Sequence, residues 1–225
     1  MKTFNKTLIA AATLTTFGLA TAPAAVALDA SASVATSYLW RGTELGNGDA
    51  ALAVDLSGST GAVSYGLWVS SGDSSSTEYD IYASYGGSVG EIGYSIGYAS
   101  YNYPSTGVAF DDSAEYVYGL SYGPVSATYF DGKDSEASYT AVSYSAGAFT
   151  FTYGEADDVV EAADALAEVV YEGVVLQEAA DAVAAGMATR THFDVSYAVN
   201  DSLTLTVSEP EDAETIVVAS YTLPF

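Results

Sequence analysis

The chain has 225 residues, 29 of them acidic against five lysines and arginines, for a formal net charge of -24. A balance of that sign excludes a nucleic-acid partner, because holding phosphates requires a basic face. Hydrophobic residues make up 49% and charged residues only 15%, with no cysteine, so intrinsic disorder, disulfide stapling, thiol chemistry and cysteine-ligated metals are excluded as well. An ordinary soluble domain carries about a quarter charged residues, and the shortfall implies that much of this surface does not face water.

The first segment reads as an export signal over 1–27. Lys2 and Lys6 precede an apolar stretch from Leu8 to Leu19, and Ala25-Val26-Ala27 supplies the small-x-small pattern a signal peptidase cleaves. The remainder, 28–225, is then one domain whose basic residues are Arg41, Lys133 and Arg190. It contains no run of 18 apolar residues, so the pattern offers no transmembrane helix. Instead it alternates with period two, as in Val63, Tyr65, Leu67 and Val69 against Ser64, Gly66, Trp68 and Ser70. Such runs are expected near 31–42, 49–58, 62–71, 77–86, 89–100, 113–122, 124–131, 135–145, 147–154, 190–199, 201–209 and 213–225. Each has about the ten residues a tilted strand needs to cross a bilayer.

Connections alternate in length. Gly58-Ser59-Thr60-Gly61, Gly86-Gly87, Gly123-Pro124, Ala146-Gly147 and Asn200-Asp201 have the chemistry of tight hairpins. Longer stretches interleave with them, the longest from Glu155 to Thr189. There Val159, Ala163, Leu166 and Val170 at helical spacing, amid many acids, predict an acidic amphipathic helix over 155–189, either folded into the mouth or lying outside. The fold class is therefore all-β: a transmembrane antiparallel up-and-down β-barrel of about twelve strands with a helical insertion in one long loop. Backbone groups in hydrocarbon must all be paired, which requires a closed barrel without edges.

One face of the strands collects Val, Ile, Leu and Tyr; the other collects Ser64, Gly66, Ser84, Gly93, Ser95, Gly97, Thr150, Thr152, Thr204 and Thr206. In a bacterial outer-membrane barrel the apolar set meets lipid and the polar set lines a wet lumen. The final strand, with Val217, Ala219, Tyr221, Leu223 and Phe225 on one side, has the form that barrel assembly machinery takes as its signal. Residues expected to line the lumen are Arg41, Asp55, Glu78, Asp80, Glu91, Glu115, Arg190, His192, Asp194 and Glu214. An acidic wall attracts cations, and about twelve strands imply a narrow bore. The expectation is passive, cation-preferring passage of ions and small solutes. A closed structural or adhesive barrel with acidic external loops is the alternative. An outer-membrane hydrolase built on His192 with Ser196 or a serine of a neighbouring strand is a third, although no nucleophile–base set stands out and no catalytic residue, metal or cofactor is assigned.

Several short motifs carry a family resemblance. Thr36-Ser37-Tyr38-Leu39-Trp40-Arg41-Gly42, Asn47-Gly48-Asp49-Ala50-Ala51-Leu52, Gly66-Leu67-Trp68-Val69-Ser70, Glu78-Tyr79-Asp80-Ile81-Tyr82, Gly97-Tyr98 and Tyr103-Pro104 resemble the TorF family of porins, from about Thr36 to Tyr153 and again from His192 onward. The resemblance implies an outer-membrane barrel. The family pattern opens Ser-Asp-Tyr where this chain has Thr36-Ser37-Tyr38, and the acidic insert has no family counterpart.

Overall fold

The computed structural model describes residues 27–74, 76–157 and 190–225. In chain order the strands are β1 (Ala27–Ala35), β2 (Leu39–Trp40), β3 (Thr43–Glu44), β4 (Ala51–Thr60), β5 (Val63–Ser70), β6 (Glu78–Val89) and β7 (Ile92–Asn102). They continue with β8 (Ser113–Tyr122), β9 (Val125–Gly132), β10 (Ser138–Ala146), β11 (Phe149–Asp157), β12 (Arg190–Ala198), β13 (Leu203–Pro210) and β14 (Ile216–Pro224). All except β2 and β3 form one closed antiparallel barrel, in which each strand pairs with its sequence neighbour and β14 pairs with β1 to complete the ring. Twelve strands thus close without an edge, the solution hydrocarbon imposes on a sheet.

The period-two pattern sets the two surfaces. Leu52, Val54, Leu56, Ile81, Tyr85, Ile96, Tyr118, Leu120, Val142, Tyr144, Phe193, Leu205 and Val217 are exposed on the outside. Ser84, Ser196, Thr204, Thr206, Ser208, Ser220 and Thr222 point inward and are buried. A barrel with greasy residues outside and hydroxyls inside is inverted relative to one dissolved in water and matches one embedded in lipid.

Connections are short at one rim and long at the other among the described residues. Gly61, Gly90, Gly123 and Gly147 take positive φ in the short turns. One expected turn is misplaced: Gly86-Gly87 lies inside β6, and the chain reverses at Gly90-Glu91. A Cβ on Gly87 would come within 2.8 Å of the Tyr94 hydroxyl, so this glycine makes room for a cross-strand ring instead of turning the chain.

The first strand also differs from expectation. It spans Ala27–Ala35 instead of 31–42, and the chain then leaves the wall to form the β2–β3 hairpin. Ala27, the last residue of the expected signal segment, begins β1, and 1–26 lie outside the described residues. The expected helical insertion lies outside them too, except for Glu155 to Asp157, which are the end of β11.

Candidate functional site: the lumen and its first loop

The stretch 36–50, between β1 and β4, enters the barrel. In the closed strand order β9 and β10 lie opposite the β1–β4 seam, and the loop reaches them. The Arg41 guanidinium carbon is 4.3 Å from the Phe130 ring centroid on β9 and 4.5 Å from that of Tyr139 on β10. Its fork donates from Nη1 to Glu115 Oε1 at 2.8 Å and from Nη2 to Oε2 at 2.6 Å, a bidentate pair with β8. Arg41 adopts φ 49 and Gly42 φ 76, the tight reversal that lets the hairpin turn inside the lumen. A Cβ on Gly42 would press on His192 of β12, so glycine permits the contact on that side. On the other side the Tyr38 hydroxyl donates to Glu78 Oε2 at 2.6 Å on β6. From one seam the loop touches β6, β8, β9, β10 and β12, and it spans the bore.

Three buried or nearly buried carboxylates meet this loop in different ways. Glu78, 2% exposed, accepts from Tyr38 and from Tyr103, whose hydroxyl donates to Oε1 at 2.6 Å. Glu115 accepts the Arg41 fork and the Tyr101 hydroxyl, 2.7 Å from Oε2. Asp80 is 1% exposed and its Oδ1 has no hydrogen-bond partner. Burial first and the adjoining Glu78 second push the Tyr38 and Tyr103 phenols far above their ordinary range, so both remain donors to that carboxylate. Deeper in the barrel, the Tyr82 hydroxyl donates to Asp55 Oδ2 at 2.7 Å.

His192 is buried between two partners, with Nε2 2.9 Å from the Tyr139 hydroxyl and Nδ1 2.9 Å from Asp194 Oδ1. Ser196 pairs with Thr206 on β13 at 2.9 Å, so the serine considered as its nucleophile is turned to other work. Among the described residues no three His, Asp or Glu side chains converge as a metal-binding set.

The expected lumen residues therefore fall into three groups. Arg41, Glu78, Asp80, Glu115, His192 and Asp194 meet at the long-loop end, with Asp55 further down the wall. Arg190 is exposed at the mouth, where Nη1 donates to Thr43 Oγ1 at 3.2 Å. Glu91 and Glu214 are not on the inner wall: Glu91 sits in the exposed Gly90-Glu91 turn and Glu214 in the exposed loop before β14, because the strands they were expected to join begin one and two residues later, at Ile92 and Ile216. Pattern reading passed over Tyr82, Tyr101, Phe130 and Tyr139, which face the lumen. Strand parity marks them, since Tyr82 shares its face of β6 with Asp80 and Ser84, and Phe130 its face of β9 with Thr128 and Ser126.

The lumen is unequal along its axis. At the long-loop end Tyr139, Phe130 and Glu78 are 1–2% exposed, whereas the inward Ser88, Ser126 and Ser145 at the short-turn end are exposed. Side chains are therefore packed most closely at the long-loop end, where the first loop lies.

Outside the barrel proper, a latch ties the 103–112 connection to Lys133. Lys133 Nζ donates to Asp111 Oδ2 at 2.9 Å and to its carbonyl at 2.8 Å, and the Tyr98 hydroxyl donates to Asp111 Oδ1 at 2.6 Å. The Tyr98 hydrogen bond, followed by that of Lys133, holds the Asp111 carboxyl down at about 2, and the Asp111 and Asp134 bonds raise the Lys133 ammonium above its ordinary value.

No family model matches the chain, and no curated protein matches it. Solved structures do. A KdgM porin in complex with disordered oligogalacturonate aligns at 9% identity and TM-score 0.46, over 88% of this chain and 97% of that one. A second KdgM porin structure aligns at 8% identity and TM-score 0.46, over 88% and 97%. A mutant of the Rh. blastica porin aligns at 16% identity and TM-score 0.37, over 78% of this chain and 55% of that one.

Proposed function

We propose that the chain is an outer-membrane channel for ions and small hydrophilic solutes, constricted near its long-loop end by its own first loop. The observation that carries this is the closed twelve-stranded barrel with aliphatic and tyrosine side chains outside and hydroxyls inside. Lipid is then the partner of the outer wall, and the outward Val217, Ala219, Tyr221, Leu223 and Phe225 on and just after β14 are the surface offered to the assembly machinery. The TorF-like motif Thr36–Gly42 is the constricting loop itself.

Cations are the preferred traffic. Asp55, Glu78, Asp80, Glu115 and Asp194 face the lumen, and Arg41 is the described lysine or arginine within it. Glu115 is neutralised by Arg41, and the acids that remain outnumber the bases on this lining, so cations are favoured over anions. Reconstitution into planar bilayers in a salt gradient tests this: stepwise conductance with a cation-selective reversal potential is expected, and an intact barrel without steps refutes the channel. A specific observation favours the other outcome, a closed structural barrel, because the loop touches strands all round the bore.

A further inference from the structure

Arg41 occupies a receptor built by the opposite wall. Glu115 on β8 meets the guanidinium fork at 2.8 and 2.6 Å, and Tyr101 on β7 orients that carboxylate through its hydroxyl at 2.7 Å. Phe130 on β9 and Tyr139 on β10, direct cross-strand partners, present rings 4.3 and 4.5 Å from the guanidinium carbon, and Trp40 of the loop lies at 4.3 Å. A flat cation stacked among rings and gripped by two parallel N–H···O bonds is recognition of a guanidinium, which a spherical ammonium cannot satisfy in the same way. Tyr101, Glu115, Phe130 and Tyr139 all stand on adjacent barrel strands. The ligand, in contrast, arrives on a loop and in the left-handed backbone region that L-residues rarely adopt.

We propose that Tyr101, Glu115, Phe130 and Tyr139 form a binding site for small guanidinium-bearing cations, occupied in cis by Arg41. A free guanidinium compound competes with Arg41 for the cage, and exchange releases the loop from the far wall, because Arg41 supplies its grip on β8, β9 and β10. A tethered ligand has an effective concentration on the order of millimolar, so the free compound enters the intact protein only at comparable levels. The proposal goes beyond the channel reading, since the site is read by binding and needs no conductance.

The test uses the full barrel in detergent with Arg41→Ala, titrated calorimetrically with methylguanidinium chloride and, at equal ionic strength, with methylammonium chloride. Charge-assisted bonds to Glu115 imply that methylguanidinium binds about tenfold or more tighter to Arg41→Ala than to Arg41→Ala/Glu115→Gln, and likewise tighter than methylammonium. Equal affinity in the two variants, or no preference between the two cations, overturns the proposal. Should Arg41→Ala not fold alone, the yield of heat-modifiable folded barrel becomes the readout. Rescue by methylguanidinium and not by methylammonium supports the site, and failure of that rescue overturns it.

Discussion

Replacing Glu115 by glutamine tests whether the first loop seals the bore. The Arg41 and Glu115 side chains keep 9% and 14% of their exposure, which classes the pair with buried ion pairs. Removing one partner of such a pair costs about 3–5 kcal/mol, because the remaining charge is left uncompensated away from water. Glutamine retains an oxygen for one N–H of Arg41 or for the Tyr101 hydroxyl, so the expected loss is at the lower end, about 3 kcal/mol. Arg41→Met/Glu115→Leu removes both charges, and the apolar replacements sit beside Phe130 and Tyr139; its cost is expected to stay within about 1 kcal/mol. Reversible urea unfolding of the barrel in lipid vesicles, followed by tryptophan fluorescence, supplies both values and their coupling. A Glu115→Gln loss below about 0.5 kcal/mol, the figure for a solvated pair, would show that water reaches Arg41 freely and that the loop does not close the lumen.

The same geometry sets three further outcomes. Asp55→Asn, on the half-buried stretch of the inner wall, lowers cation selectivity: one charge about 8 Å from a permeating ion in water contributes about 0.5 kcal/mol, about a twofold change in local cation concentration. Reversal potentials measure this, and Glu91→Gln and Glu214→Gln, both away from the inner wall, leave them unchanged. Gly42→Ala places a methyl group against His192 at a positive φ; the loop must shift, and a changed single-channel conductance or a melting temperature lower by several degrees records it. The Asp111–Lys133 latch has a defined pH window. The lowered Asp111 value contributes stability that is present above about pH 4 and lost as pH falls toward about 2, while the raised Lys133 value contributes below about pH 10 and is lost above it. Protection factors for amide exchange over 103–112, corrected for intrinsic rates, should fall at both ends of that window and stay flat between them.

The wall was legible because a barrel strand has one binary rule and obeys it. Val63, Tyr65, Leu67 and Val69 face outward and Ser64, Gly66, Trp68 and Ser70 inward, as alternation requires once lipid is the outer solvent. Alternation also misleads where the wall ends. Val34, Tyr38 and Trp40 keep the same parity, so the apolar pattern runs past Ala35 as though the strand continued to Gly42. Hydropathy cannot separate an aromatic ring that meets lipid from one that fills a bore, since both environments exclude water. The Gly86-Gly87 pair erred the other way, because turn chemistry and room for the Tyr94 ring demand the same residue.

The lumen was half legible for a related reason. Asp55, Glu78, Asp80, Glu115 and Asp194 were identifiable because a charge within an alternating run has nowhere else to go in a membrane barrel. Their partners were not identifiable, since the Arg41 fork on Glu115 joins residues far apart in sequence and depends on a loop that leaves the wall. The aromatic cage depends on register as well as parity: Phe130 stands opposite Tyr139, and Val117 opposite Phe130, only in the pairing the barrel adopts. Slip one strand by two residues and every side chain keeps its face, yet the cage is dispersed. The packing around Arg41 is therefore a property of register and loop path, which a period-two pattern constrains too weakly to reveal.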